Sequence, residues 1–357
     1  MKNAFHVCLA AFVAVYAAGC GDDSASVPAK TDAPPVVEEE SFDSIIQRGV
    51  AAVAQKDVAS AVAAADAALE REPDSAEARL LSGQAAFLAE DYDRAKSEFG
   101  AVAKADLPRP VRAQGFAGLG LVEFARHNVD VARILFLRAQ LYDSKNASAP
   151  YHLGLIYRDT YHFYEAALLQ FQVFTRLSNP AEPRTQTVGR KVIPELRDQI
   201  NRISVERPGA SARNPGQAAK LIEEAQALEA KSRLTLAKNK YAEAMKADPF
   251  SYPAALGYAK LLKRLGKTAT DVDKALSAYR VAIDQRPEVQ KNYLEAAQLA
   301  YVNKRWATAV QIMDRSVAHD ASARNRDSFD VLIGALIKAG NGKLAKSWSD
   351  YRAELGK

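Results

Sequence analysis

Two adjacent blocks of the chain, Ala113–Asn146 and Ala147–Pro180, share a length of 34 residues and meet without a gap. Leu119-Gly120 in the first aligns with Leu153-Gly154 in the second, and Ala132 aligns with Ala166. This repetition constrains the fold strongly. One helical hairpin cannot bury its apolar face alone, whereas stacked hairpins bury a continuous core between neighbours. Gly154 and Ala166 stand where the two helices of a hairpin cross closely, with Leu153, Tyr157, Phe163, Phe171 and Val173 filling the space around them. Asn179-Pro180 closes the unit, because proline disfavours helix in the residue before it.

The same register recurs along most of the chain. Phe42–Ser75 carries Ile45, Gly49, Ala61, Ala68 and Pro73, and Ala76–Arg109 carries Gly83, Tyr92, Ala95 and Phe99. The third block has Phe116, Gly120, Phe136 and Ala139. After an interruption, Ala218–Ser251 has Ala225, Ala237, Tyr241, Ala244 and Pro249. Tyr252–Val289 has Ala259, Leu265-Gly266, Ala275 and Tyr279, with about four extra residues near Lys267–Thr270. Gln290–Ala323 has Tyr293, Ala297, Trp306, Ala309 and Met313, with Trp306 at a core position. Arg326–Lys357 ends in a polar helix, as a capping repeat requires.

These residues and their repetition resemble the tetratricopeptide repeat family. The resemblance implies an all-α fold: an α-solenoid in which helix–turn–helix units wind into a right-handed superhelix. Four repeats are expected over 42–180, and three repeats plus a capping repeat over 218–357. Between them, 181–217 breaks the period. Pro183, Pro194, Pro208 and Pro215 interrupt it, yet Val188, Val192, Leu196, Ile200 and Ile203 recur at helical spacing. The pattern predicts a helix from about Arg184 to Ser204, kinked or restarted at Pro194, in an insert that is either a hinge or packed flat.

Residues 1–19 read as a signal peptide: Lys2, then an apolar run from Ala4 to Ala18, short of the roughly 20 residues that span a bilayer. Ala17-Ala18-Gly19-Cys20 resembles the lipobox of bacterial lipoproteins, with Ala17 where that family usually has leucine. The resemblance implies diacylation of Cys20, and Gly21 rather than aspartate after it favours the outer membrane, facing the periplasm. Residues 20–41, acidic and proline-rich, then form a lipidated disordered tether. Cys8 would leave with the signal, so the mature chain would have no disulfide.

Charge is uneven. Residues 21–180 hold 16 Lys+Arg against 23 Asp+Glu, a net of −7, and 181–357 hold 31 against 20, a net of +11. A basic half in the envelope suits an acidic protein segment or an anionic glycan such as peptidoglycan. Nucleic acid is disfavoured by the export signal. No His pair has the spacing of a helical metal site, and no phosphate loop, nucleophile elbow or Cys–His pairing appears. No cofactor, metal or catalytic set is therefore expected, and the membrane is met through the lipid alone. The aromatic cluster Tyr157, Tyr161, Phe163 and Tyr164, with His152 and His162, reads as packed core more simply than as a ligand cage.

What remains is a partner-binding groove. In the family the first helix of each repeat lines the concave surface. Carried over, this gives Gln84 and Phe87; Leu121 and Phe124; Tyr151, Leu155 and Arg158; Gln226 and Glu229; Lys260, Lys263 and Arg264; and Lys291, Gln298 and Tyr301. The N-terminal part is expected to be apolar and to suit a partner helix, and the C-terminal part basic, suiting an acidic segment. The partners so implied are envelope proteins of a secretion, pilus, barrel-assembly or polysaccharide-export system.

Overall fold

A computed structural model describes residues 40–205, 213–319 and 326–355, and all regular structure among them is helical. The helices come in pairs at the expected period: α1 (Phe42–Gln55) with α2 (Val58–Arg71), α3 (Ala76–Leu88) with α4 (Tyr92–Lys104), and α5 (Arg109–Ala125) with α6 (Val129–Tyr142). Then follow α7 (Ser148–Asp159) and α8 (Tyr164–Leu177). After the insert come α11 (Pro215–Ala230) with α12 (Leu234–Ala247), α13 (Tyr252–Leu265) with α14 (Ala269–Gln285), α15 (Gln290–Val302) with α16 (Trp306–His319), and α17 (Arg326–Lys338) with α18 (Gly342–Glu354). Sequential helices pack on one another from α1 to α6 and from α11 to α18, and first helices also touch first helices, as α3 does α1 and α5.

Helix starts are fixed by side-chain caps. Ser41, Asp57, Ser75 and Asp91 each accept the backbone N–H three residues on, satisfying a donor the helix leaves unpaired. The turns inside the hairpins are fixed by one left-handed residue: Lys56, Glu90, His127, His162, Ser232, Lys304 and Gly340. Such a residue lets the next amide reach back, as Asp91 N–H does to the Ala86 carbonyl at 2.9 Å and Asn128 N–H to Glu123 at 2.8 Å. The sixth repeat lacks this device. Its longer turn closes with Gly266 in extended conformation and a reciprocal capping box between Thr268 and Asp271.

The packing unit is an aromatic ring on a second helix, set between two first helices. A Cβ on Gly83 would lie 2.7 Å from the Phe99 ring, and one on Gly118 would lie 2.4 Å from it. Phe99 is thus gripped from its own repeat and from the next, which only glycine permits. Phe136 meets Gly120 of its own repeat in the same way, and stacks at 4.8 Å and 9° on His152 of the next. Tyr241 is held against Gly257. In the first repeat the pattern is inverted: small Ala65 takes the ring's place, and Leu81 of the second repeat fills the gap against Gly49.

In the insert, α9 (Pro183–Thr187) runs through a π-helical turn, Val188–Val192, into α10 (Ile193–Val205). The break comes just before the predicted Pro194. The wider turn removes the clash that the proline ring would make with the carbonyl four residues back. The described chain separates into two compact units, one running to Ile156 and including Val173–Thr185, the other Tyr157–Gln172 with residues from Gln186 on. That division does not fall at 180/181, where the sequence predicts one. It passes through α7 and α8, because the turn joining them packs with helices of the later repeats.

Candidate functional site

The first helices were expected to present a groove, and the structure divides their residues into three groups. Gln84, Leu121 and Tyr151 are buried, at 5%, 3% and 8% exposure, and belong to the core rather than to an accessible wall. The cause is the glycine content of these helices. On α5, a Cβ at Gly115 would lie 2.7 Å from the Ala103 amide nitrogen, so α4 and α5 sit almost backbone to backbone and cover what lies between. Phe87, Phe124, Leu155 and Arg158 are half-buried. Phe87 tilts against Tyr92 at 5.6 Å, and Phe124 meets His152 edge-on at 6.5 Å. Arg158 forks onto Asp159 at 2.6 and 2.8 Å. Of the seven N-terminal positions, three are thus enclosed and four stay partly accessible.

The later repeats differ. Gln226, Lys260, Lys263, Arg264, Lys291 and Gln298 are exposed. Tyr301 is half-buried, its ring 3.3 Å from where a Cβ on Gly334 would lie. Two members have structural partners the sequence reading missed. Glu229 accepts the Tyr241 hydroxyl at 2.7 Å, and Lys291 lies 3.9 Å from Glu295, which accepts the Tyr279 hydroxyl at 2.8 Å. The available signal was tyrosine where the earlier repeats have phenylalanine, since a buried hydroxyl requires an acceptor.

That leaves Lys260, Lys263 and Arg264. Their spacing puts them on one face of α13, and none makes a hydrogen bond or ion pair among the described residues. Elsewhere cations are engaged between repeats: Arg94 with Asp66 at 2.5 Å, Lys96 with Glu123 at 2.6 Å, Arg126 with Asp93 at 2.5 Å and Arg305 with Asp273 at 2.9 Å. Arg126–Asp93 and Arg305–Asp273 recur at matching places, joining the turn of one repeat to the second helix of the one before. The α13 cations stand outside this scheme.

Among the described histidines, His152 is the buried one. It is fully buried, with Nδ1 2.8 Å from the Ser148 carbonyl oxygen and Nε2 without a partner. Burial, aided by the Arg184 charge and opposed by the Ser148 hydrogen bond, brings its pKa down to about 4, so the ring is neutral at physiological pH. It is a core residue, and its stacking on Phe136 accounts for it. No group of three His, Cys, Asp or Glu placed to hold a metal occurs among the described residues, and no described helix is long and apolar enough to cross a membrane. Cys20, the signal segment and nearly all of the tether lie outside the described residues.

Residues 46–95, 89–152 and 268–325 match a family model described as tetratricopeptide repeat. Those stretches carry tetratricopeptide repeats. No curated protein matches the sequence. Among solved structures, the TPR2AB domain of yeast Sti1 in its pHSP90 complex is 16% identical, covering 88% of this chain and 98% of that one, with a TM-score of 0.26. Pseudomonas aeruginosa pilF is 18% identical over 67% of this chain and 90% of its own, TM-score 0.28. Yeast Tom70 is 16% identical over 91% and 68%, TM-score 0.33. Superpositions this loose carry no information about a partner. Tetratricopeptide repeats as a class mediate protein–protein interactions and are typically not enzymes.

Proposed function

We propose that this chain is a lipid-anchored scaffold on the periplasmic side of the outer membrane, holding an acidic segment of another envelope protein on α13. One observation carries the binding half of the reading: Lys260, Lys263 and Arg264 share a helix face and have no partner of their own. Three cations held close repel one another, and a carboxylate-rich segment relieves that repulsion while meeting charge-assisted hydrogen bonds. The net +11 of residues 181–357 extends the same attraction beyond contact distance. The anchor half rests on the sequence ending its apolar run at Ala17-Ala18-Gly19-Cys20.

The test is a pull-down from detergent-solubilised envelopes with the wild type and with Lys260, Lys263 and Arg264 all changed to Glu. The reversal spares folding, since exposed substitutions are worth within about 0.5 kcal/mol each. Capture of a specific protein by the wild type alone, weakening as salt screens charge beyond about 8 Å, is the expected result. Equal capture by both would remove α13 from the binding surface. Capture of peptidoglycan fragments in place of a protein would move the reading to an anionic glycan. Separately, Cys20→Ser is expected to accumulate as unprocessed precursor; normal membrane-bound maturation of that variant would overturn the anchor.

A further inference from the structure

The turn of the fourth repeat forms part of a cavity. Thr160, Tyr161 and Phe163 make one wall of a space of about 620 Å³, and α14, α15 and α16 make the rest. All of these residues belong to the second compact unit. The volume is within the range of roughly 300–1,000 Å³ typical of small-molecule sites. Of the sequence's aromatic cluster, His152 and Tyr157 lie in the core, whereas Tyr161 and Phe163 face this space with their rings stacked at 5.4 Å and 26°. Leu276, Ile283 and Ile312 add aliphatic surface. An apolar body would thus meet an aromatic wall and an aliphatic one.

Two charged side chains line it, and they are unequal. Arg315 is committed, at 2.6 Å from Asp284. Arg280 is exposed and makes no hydrogen bond or ion pair among the described residues. Tyr293, also in the wall, has a fully buried hydroxyl with no partner, the kind of orphan that native interiors rarely keep. One uncommitted guanidinium beside an aromatic wall matches an amphipathic acid: the fork pairs with a carboxylate, and the apolar part leaves water.

We propose that this cavity binds a small carboxylic acid with an aromatic or branched apolar body, its carboxylate on Arg280 and its body against Tyr161 and Phe163. The site is independent of the α13 surface. It is tested by calorimetric titration of the purified full chain with 3-phenylpropanoate and with the neutral 3-phenylpropanol. One saturable site for the acid is expected. Arg280→Gln weakens the acid about tenfold, the loss of one charge-assisted contact, and leaves the alcohol unchanged. Gln311→Trp, an exposed lining position, fills the space and abolishes both. Circular dichroism confirms that both variants are folded. Absence of saturable binding at millimolar acid, or acid affinity unchanged in either variant, overturns the proposal.

Discussion

The early and late repeats solve the same packing problem with different chemistry. In the second and third repeats the ring between first helices is phenylalanine, Phe99 or Phe136, set against glycine and, for Phe136, the neutral ring of His152. In the fifth and sixth it is tyrosine, Tyr241 or Tyr279, and each hydroxyl reaches a glutamate, Glu229 of its own repeat or Glu295 of the next. The dry version needs only space. The wet version also needs an acceptor, and so draws first-helix carboxylates into the structure. The early repeats accordingly close over their first helices, while the late ones keep polar groups and free cations at the surface.

The largest test of this contrast is at its centre. Phe99→Ala removes a fully buried ring from between rigid helices, and is expected to cost about 3–5 kcal/mol by urea denaturation. A cost below about 1 kcal/mol would mean that the helices close onto the gap, and that the ring is filler rather than the element setting their spacing.

Acid separates the two regions next. His152 has its pKa depressed to about 4 from an ordinary 6.5 by burial, so in that interval the unfolded chain binds a proton that the folded one refuses. Stability is intact above about 6.5 and falls as pH drops toward 4, by up to about 3 kcal/mol. In the fifth repeat the sign is the same, but the window lies lower. Arg213 holds the Asp248 carboxyl below the usual carboxylate range, so that pair's contribution survives until pH falls past ordinary carboxylate values. Both tryptophans, Trp306 and Trp348, are in the late repeats, so their fluorescence reports that region alone. Between pH 6.5 and 4, helical circular dichroism should become easier to lose while tryptophan emission holds, and His152→Phe should flatten the effect. Parallel loss of both signals in that variant would show that His152 is not the cause.

Exchanging the rings tests the hydroxyl directly. Phe99→Tyr buries a hydroxyl at the ring end beside Gly83, within an apolar cluster, and is expected to cost about 1–3 kcal/mol. Tyr279→Phe should cost only about 1 kcal/mol, because the half-buried Glu295 can turn to water. Equal costs would mean that the glutamates do not distinguish the two regions.

The repeat boundaries were legible because the period, the crossing glycines and the closing prolines are local signals. The insert was legible as a helix with a break near Pro194, but not as a π-helical turn, which depends on how the backbone relieves one clash. The groove was legible only in part. Rules for which positions face outward assume an average helix separation, and Gly115, Gly118 and Gly120 reduce it until Leu121 is enclosed. The acceptor roles of Glu229 and Glu295 were invisible for a related reason: each reaches a ring on another helix, and sequence spacing alone does not report that contact. The tyrosines that demanded those acceptors were in plain view.

The smallest expected effect lies in the turns. Early hairpins place Lys56, Glu90, His127 and His162 in the left-handed region, whereas the last hairpin uses Gly340. A side chain there costs about 1 kcal/mol. Nothing lies within 4 Å of a Cβ built on Gly340, so Gly340→Ala is expected to lose about 1 kcal/mol from backbone conformation alone, and Gly340→Asn less, since asparagine tolerates that region. Gly266 makes the control. Its backbone is ordinary, but a Cβ there would lie 2.5 Å from the Leu262 carbonyl oxygen, so alanine and asparagine should be equally unwelcome. Glu90→Gly should gain about 0.5 kcal/mol, the relieved strain less the added freedom of the unfolded chain. If Gly340→Asn is as costly as Gly340→Ala, the last turn is constrained by something other than its left-handed backbone, and it differs from the other turns in more than its glycine.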